Sequence, residues 1–183
     1  MRRIIGLTGL AGSGKSTVAK LLESYGYDIV KFASPLKNML RAYLVTLGVD
    51  GDTIERMIEG DLKEVPSQLL AGRTPRHAMQ TLGTEWGRNA MSKTFWVDAW
   101  SSTAAGHERI VCDDCRFPNE IDTLREQGAV IVNIVRPDAQ TSAGNHASEH
   151  VPEFCHYRLN NVASVRELEE GARAILEDLD WTR

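Results

Sequence analysis

Hydrophobic residues along the chain fall into short apolar runs that alternate with longer stretches at helical spacing. The short runs predict β-strands, and the longer stretches predict amphipathic helices. Strands that alternate with helices are typical of a parallel sheet covered on both faces, so we predict an α/β fold. The predicted strands are Arg3 to Leu7, Asp28 to Phe32, Arg109 to Asp113, Val130 to Val135 and Tyr157 to Asn160; the predicted helices outside the middle of the chain are Ser16 to Tyr25, Pro35 to Leu47, Asn119 to Gln127 and Ser164 to Leu179.

The middle of the chain has a different pattern. The segment from Val49 to Arg73 is polar and is interrupted by glycines and a proline, which predicts a short helix with connecting loops. Thr74 is then a predicted helix cap, and Pro75 suits the first helical position. We expect this helix to reach about Leu82. Gly83 is expected to bend or interrupt it before a second helical run.

Composition narrows the class of protein. The 183 residues are 42% apolar, which is enough for the core of one domain with a small mobile insertion. A net charge of −4 disfavours the broad basic surface that binding to nucleic acid polymers needs. No apolar run approaches the roughly 20 residues that span a bilayer. Three cysteines without framework spacing fit a reducing compartment. We therefore expect a cytoplasmic protein without a membrane partner. The oligomeric state is left open, with a homodimer as one possibility.

The strongest motif lies between the first predicted strand and the first predicted helix. Gly9 to Ser16 matches G-x-x-x-x-G-K-[ST], the pattern of a P-loop that binds nucleotide phosphates. Its backbone N–H groups and the helix N-terminus are expected to hold phosphate oxygens. Lys15 is expected to reach the β- and γ-phosphates, and the Ser16 hydroxyl is expected to bind Mg²⁺. The predicted nucleotide contacts in the loop are Gly12, Ser13, Gly14, Lys15, Ser16 and Thr17.

A carboxylate at the end of a neighbouring strand is the second part of such a site, because it positions magnesium. Asp113 ends the strand that begins at Arg109, and we expect it to act on the magnesium side through water, with Asp114 as its substitute. The chain has neither the N-K-x-D nor the D-x-x-G motif of GTPases. A small P-loop protein of this kind is predicted to be a kinase of a small molecule.

Arginines around the middle helix suggest a second phosphate substrate. Arg73, Arg76 and Arg88 flank a helix-forming segment in an acidic chain. Guanidinium groups bind phosphates in bidentate fashion and can screen the charge of two facing phosphates. Arg76 and Gln80 lie four residues apart and share a helix face, so that one can hold an acceptor phosphate while the other reads a base edge.

Eight blocks spread over most of the chain carry a family resemblance. They are GLAGSGKST, FASPLK, KEVP, TPRHAMQTLGTEWGR, FWV, DDCRFPNE, IVRP and HASE. Together they resemble the phage-type deoxynucleoside monophosphate kinases. The P-loop is widespread, whereas LGTEWGR followed by DDCRFPNE is much more specific. The resemblance implies a three-layer αβα sandwich with a five-stranded parallel sheet, with ATP and Mg²⁺ on one side and a deoxynucleoside monophosphate on the other.

The resemblance also implies roles for individual residues. It places Lys15 and Ser16 on the ATP phosphates and magnesium. It places four cations near the acceptor or the transferring phosphate, and three further side chains near the base or sugar. The cations are Lys37, Arg76, Arg88 and Arg116, and the base or sugar candidates are Gln80, Trp86 and Trp96. Glu85 and Glu120 are expected to orient arginines.

A division of the chain follows from the same resemblance: a core of about 1–35 and 105–183, an acceptor-binding insertion of about 36–104 and a lid of about 138–150. The lid segment contains no arginine or lysine. The charge of the transition state is therefore expected to fall on Lys15 and Arg116. Arg136 is a further candidate, and its position after a strand also suits contact with the adenine or ribose of ATP.

The expected reaction is transfer of the γ-phosphoryl group of ATP to a deoxynucleoside monophosphate. Two alternatives stay open: a kinase of another acceptor, such as dephospho-coenzyme A or phosphomevalonate, and a non-catalytic ATP-binding regulator. His146 to His150 matches a zinc-peptidase pattern, but the flanking glycine and proline disfavour the helix such a site needs. Cys112 and Cys115 form a C-x-x-C pattern that we interpret as incidental packing.

Overall fold

A computed structural model describes residues 2–137 and 154–181. Within them, five parallel strands form one sheet in the order β2-β3-β1-β4-β5. The predicted α/β fold with a five-stranded parallel sheet is confirmed. The strands are β1 (Arg3–Thr8), β2 (Asp28–Ile29), β3 (Arg109–Cys112), β4 (Val130–Val135) and β5 (Tyr157–Asn160). The α-helices are α1 (Lys15–Ser24), α2 (Ser34–Thr46), α3 (Gly51–Ile58), α4 (Pro75–Thr81), α5 (Phe95–Ala104), α6 (Pro118–Glu126) and α7 (Val165–Asp178).

The chain divides into two compact units. We call residues 1–32 and 100–183 the sheet unit, and residues 33–99 the helical unit. The helical unit overlaps the predicted acceptor-binding insertion, whose role stays a prediction. The predicted lid at 138–150 lies among residues that the structure does not describe. Within the described ranges, each helix is too short or too polar to cross a membrane.

The sheet unit has its main core on the face covered by α1 and α7. Ile5 and Leu7 of β1 pack there with Val132 of β4, beneath Leu22 of α1 and Leu176 of α7. β1 is buried on both faces, which explains its continuous apolar sequence. Since parallel strands end together, the carboxyl ends of β1 and β3 bring the loops after them to one edge of the sheet.

The helical unit has a separate core of its own. Leu44 of α2, Ile54 and Ile58 of α3 and Met79 of α4 are buried together. Thr74 caps α4, since its hydroxyl accepts a hydrogen bond from the backbone N–H of His77 at 3.1 Å. That predicted cap is confirmed. Two short 3₁₀ segments, Asp61–Glu64 and Gln68–Leu70, connect α3 to α4.

The α-helix predicted from Pro75 to about Leu82 ends at Thr81, but the chain is not interrupted at Gly83 and stays helical. A π-helix, Leu82–Met91, follows α4 directly. Its wider turns are held from one side by Trp96, whose indole N–H donates to the Gly83 carbonyl at 2.8 Å. A Cβ at Gly87 would overlap the same indole. Gly87 therefore lets an aromatic ring pack directly against the helix backbone, and the Gly83 carbonyl accepts that ring's N–H group.

Two further expectations differ from the structure. Helix α5 was not predicted, although its buried residues, Trp96, Val97, Trp100 and Ala104, share one helical face. Strand β2 ends at Ile29, although it was predicted to reach Phe32. The backbone N–H of Val30 still donates to the Val111 carbonyl, so the ladder with β3 ends one residue later.

Candidate nucleotide site

The loop from Gly9 to Ser16 connects β1 to α1 and has a shape that requires glycine. Gly9 has φ 131° and Gly14 has φ 108°, values that residues with a Cβ rarely adopt. A Cβ at Gly9 would overlap the Ile134 carbonyl oxygen, and one at Gly14 would lie 2.8 Å from Asn161 Nδ2. Asn161 Nδ2 donates to the Ser13 carbonyl at 2.9 Å and ties the loop to the end of β5. The cradle is therefore built from backbone and from close packing.

Lys15 folds back over this loop. Its ammonium donates to the carbonyl oxygens of Gly9 and Leu10, both at 2.7 Å. Neutral carbonyls are weaker partners for an ammonium than phosphate oxygens are, because hydrogen bonds between two charged groups are the stronger ones. The lysine is thus held within the cradle by partners that an anionic phosphate can replace.

Asp113 follows β3 and is the buried carboxylate beside the loop. It is 5% exposed, and its Oδ2 accepts a hydrogen bond from the Ser16 hydroxyl at 3.0 Å. Lys31 Nζ donates to the same Oδ2 at 3.1 Å and lies 3.0 Å from Oδ1. The second distance is that of an ion pair, but its angle is not that of a hydrogen bond, so Oδ1 accepts none among the described residues. Sequence reasoning found Ser16 and Asp113 and missed Lys31.

The donor set around Asp113 suits magnesium. A serine hydroxyl and a carboxylate supply the oxygen ligands that Mg²⁺ prefers, and Asp113 Oδ1 has accepting capacity to spare. Among residues 2–137 and 154–181, no cluster of three or more metal-binding side chains occurs.

Asp114 binds the backbone after β2, which disfavours its predicted role as a substitute for Asp113 on the magnesium side. Its Oδ1 accepts the backbone N–H of Phe32 at 2.9 Å and so fixes the chain just after β2. The Cys112 thiol also lies against it, at 3.3 Å. Burial raises the pKa of the thiols of Cys112 and Cys115, so both stay protonated at neutral pH. This burial fits the interpretation of the C-x-x-C pattern as incidental packing. The His146 to His150 pattern lies outside the described residues.

Arg116 begins the segment that leads into α6, and its side chain is exposed. Glu120 is 3% exposed and accepts the backbone N–H groups of Arg116 and Phe117 on one oxygen, at 2.8 and 3.1 Å. A buried carboxylate thus fixes the main chain that carries Arg116. The guanidinium group is left on the surface of the sheet unit.

Arg136 follows β4 and lies beside the P-loop. Its guanidinium donates to the Gly12 carbonyl at 3.5 Å. Together with Arg158 and Asn133 it lines a cavity of about 260 Å³ next to Gly9. The structure therefore places Arg136 beside the Gly9 to Ser16 loop, and its contact with ATP stays a prediction.

In the helical unit, predicted acceptor cations are paired with carboxylates. Lys37 Nζ lies 2.7 Å from Glu59 Oε1. Arg76 Nε forms a short ion pair with Glu64. Both carboxylates are about half exposed, at 46% and 60%. The Arg76–Glu64 pair is exposed on both sides, and such pairs are weak, whereas the Lys37 side chain is only 14% exposed.

The remaining predicted acceptor residues of the helical unit lie on α4, the π-helix and α5. Gln80 is exposed on α4, and Arg88 of the π-helix is half-buried. Trp96 is only 2% exposed, and its indole N–H is used by Gly83. In this structure Trp96 is therefore part of the interior. Trp86 packs against it at 6.1 Å between ring centroids and is half-buried, so Trp86 is the better placed of the two for stacking on a base.

Comparison with known families decides the classification. Residues 50–168 match the sequence model of the deoxynucleotide monophosphate kinase family. The chain belongs to this family. The matched range includes most of the helical unit as well as Asp113 and Arg116.

Individual relatives agree with the family assignment. A mimivirus protein (Acanthamoeba polyphaga mimivirus) that is named as a deoxynucleotide monophosphate kinase is 30% identical over 162 residues, which cover 80% of each chain. The deoxynucleoside-5′-monophosphate kinase of Escherichia phage T5 is 26% identical over 211 residues, which cover 81% of this chain and 84% of the relative. The family is therefore recognised along most of the chain.

Solved structures with low sequence identity share the fold. A Thermus thermophilus protein superposes with a TM-score of 0.52 at 20% identity, over 97% of this chain and 98% of the other. Dephospho-CoA kinase from Campylobacter jejuni gives a TM-score of 0.53 at 10% identity, over 97% of each chain. These likenesses concern the architecture of the sheet and its helices.

Proposed function

We propose that the protein transfers the γ-phosphoryl group of ATP to a deoxynucleoside 5′-monophosphate, giving ADP and the deoxynucleoside diphosphate. The observation that carries this proposal is the family match over residues 50–168, which joins the charged helices of the helical unit to the Asp113 segment. The P-loop at Gly9 to Ser16, outside the matched range, supplies the donor side independently.

The donor nucleotide would be bound by the sheet unit. Gly12, Ser13, Gly14 and Thr17 would hold its phosphates through the cradle, and Lys15 would leave the loop carbonyls for the β- and γ-phosphate oxygens. Arg136 would contact the adenine or ribose. Bound magnesium, held through Ser16 and by Asp113 through water, would supply neutralisation of the phosphate charge.

The acceptor would be bound by side chains of the helical unit. Lys37, Arg76 and Arg88 would bind its phosphate, with Glu59 and Glu64 displaced from the first two. Gln80 would contact the base edge, and Trp86, alone or with Trp96, would contact the base or sugar.

Transfer itself requires no side-chain nucleophile. An acceptor phosphate oxygen forms a bond to the γ-phosphorus while the bond to the β-γ bridging oxygen breaks, and ADP leaves. Lys15 and Arg116 would stabilise the negative charge on the transferring group. Water must be excluded during this step, because it would otherwise be phosphorylated.

A panel of acceptors tests the proposal. ADP release from ATP is measured with each of the four common deoxynucleoside monophosphates, with dephospho-coenzyme A and with phosphomevalonate. We expect turnover that depends on a deoxynucleotide, with the diphosphate identified by chromatography. Turnover with only one of the other acceptors would point to a kinase of that acceptor. ATP binding without turnover on any acceptor would point to a non-catalytic regulator.

A further inference from the structure

In the sheet unit, Lys31 contacts Asp113, the carboxylate proposed to position magnesium, and the proposed function gives this lysine no role. Lys31 lies just after β2, and its ammonium contacts both oxygens of Asp113, at 3.0 and 3.1 Å. Asp113 is buried, with 3% of its side chain exposed, whereas the side chain of Lys31 is 31% exposed. One partner is thus fixed in the interior, and the other has a path to solvent.

A buried carboxylate needs a positive partner when no metal ion is bound. Leaving Asp113 charged and unpaired would carry a large desolvation cost. Lys31 meets that need, because within the described ranges the other hydrogen bond that the Asp113 carboxylate accepts comes from the neutral Ser16 hydroxyl. Magnesium would meet the same need. The two cations therefore compete for one carboxylate.

The geometry makes this competition direct. Lys31 and Ser16 both donate to Oδ2 of Asp113, so the ammonium lies at the oxygens proposed to organise the magnesium site. Two cations held by one carboxylate repel each other strongly where little water screens them. A lysine on a flexible four-carbon stem can withdraw, whereas a carboxylate with 3% exposure cannot.

We infer that Lys31 is a positioning residue that acts as an exchangeable counter-cation: it holds and neutralises Asp113 in the empty site and withdraws when magnesium enters with the nucleotide. This inference rests on the proposed nucleotide site. It makes a specific prediction, which is that removing the Lys31 charge strengthens the dependence of nucleotide binding on magnesium. A residue with only a structural role would not produce that change.

Calorimetric titration with ADP, in Mg²⁺ and separately in EDTA, tests this without any turnover. The quantity compared is the ratio of the ADP Kd in EDTA to the Kd in Mg²⁺. We expect Lys31→Met to raise this ratio at least about fivefold over the wild type, the lower end of usual coupling between two ligands. Lys20→Met removes an equal charge from the exposed face of α1 and should leave the ratio unchanged. A ratio in Lys31→Met equal to or below that of the wild type would overturn the inference.

The Asp113→Asn background isolates the carboxylate. There, adding Lys31→Met should not alter the ratio, because no charge is left to compete for. An equal rise in both backgrounds would overturn the inference, since Lys31 would then act elsewhere. Wild-type protein that binds no ADP in either buffer would overturn the proposed function together with this inference, whereas ADP binding with unchanged ratios overturns the inference alone.

Lys31→Met can also lose its fold, because Asp113 is left unpaired. Refolding then provides the readout. We expect recovery of the native circular dichroism spectrum with ADP and Mg²⁺ but not with ADP and EDTA, and we expect Lys31→Met/Asp113→Asn to fold in both. Failure of the single variant to recover in Mg²⁺, or misfolding of the double variant, would contradict the exchange of cations.

Discussion

The sheet unit and the helical unit hold their charged residues in opposite ways. In the sheet unit, Asp113 is 5% exposed and is bound by Lys31 and Ser16, and Lys15 is bound by the loop carbonyls. In the helical unit, Arg76 and Glu64 pair on the surface with 45% and 60% of their side chains exposed. The charged groups of the proposed donor side are thus already held in place in the structure, whereas Arg76 on the proposed acceptor side is held by a weak, exposed pair.

The difference has a physical basis in the groups with which each unit would bind phosphate under the proposed function. The P-loop uses backbone, whose position is fixed by glycines and by tight packing against Ile134 and Asn161. In the proposed site, the helical unit would use long cationic side chains, and Lys37 and Arg76 would first have to leave their carboxylate partners. Changes in the first unit should therefore affect catalysis most, and changes in the second should affect the acceptor KM.

The largest expected effect tests the donor side. Lys15→Met removes the cation of the cradle, so we expect kcat/KM to fall by at least about 100-fold, as when a preorganised charge-stabilising group is deleted. The measurement is ADP formation at saturating deoxynucleotide. Lys20→Met on the exposed face of α1 is the matched control. Similar losses of kcat/KM in both variants would contradict a specific role of Lys15 in binding the ATP phosphates.

Gly87→Ala tests how closely the helical unit is packed. The added Cβ would overlap the Trp96 indole, and we expect a loss of about 1–3 kcal/mol in the free energy of unfolding, the usual cost of overpacking. Gly51→Ala is the control in the same unit, because its Cβ meets nothing within 4 Å. Urea denaturation of both variants measures the difference. Equal stability would mean that the π-helix tolerates a side chain facing Trp96.

Arg76→Ala tests the exchangeable acceptor side. We expect the KM for the deoxynucleotide to rise by about tenfold, the low end for a hydrogen bond to a charged group, because Arg76 first has to leave Glu64. The KM for ATP should not change. Arg56→Ala removes an exposed arginine paired with Asp61 in the same unit and should leave both values unchanged. A matched rise in both arginine variants would indicate a general effect of charge.

Thr74→Ala is expected to have the smallest effect. It removes the cap of α4, which carries Arg76 and Gln80, and should lower the free energy of unfolding by about 1 kcal/mol. Thr74→Ser keeps the hydroxyl and should retain most of the stability. Thermal denaturation of the three proteins checks this, and a Thr74→Ala variant as stable as the wild type would mean that the cap contributes nothing.

The donor site could be predicted from sequence because its geometry is encoded locally. Glycines at fixed spacing before Lys15 and Ser16 determine the loop, and Asp113 was found because parallel strands end at one edge of the sheet. Lys31 follows the same logic, since it lies just after β2 at that edge, yet no motif marks it. The identity of its partner depends on a contact across 82 positions of sequence.

The helical unit was harder to predict for a related reason. Trp96 contacts the backbone of the π-helix at Gly83 and Gly87. The spacing of residues in the sequence does not reveal that this aromatic ring packs against those two glycines. Lys37 pairs with Glu59 and Arg76 pairs with Glu64. These partners lie on other elements of the helical unit, so only the tertiary packing reveals them. The sequence thus indicated the cations of the helical unit, and the structure added the carboxylates with which Lys37 and Arg76 pair.

A crossed binding measurement tests the division between the two units most directly. The Kd of an ATP analogue that cannot be hydrolysed and the Kd of a deoxynucleoside monophosphate are measured separately for the wild type, Lys15→Met and Arg76→Ala. The account predicts that Lys15→Met weakens only the ATP analogue and Arg76→Ala weakens only the monophosphate. Equal losses for both ligands in either variant, or the reverse assignment, would contradict it.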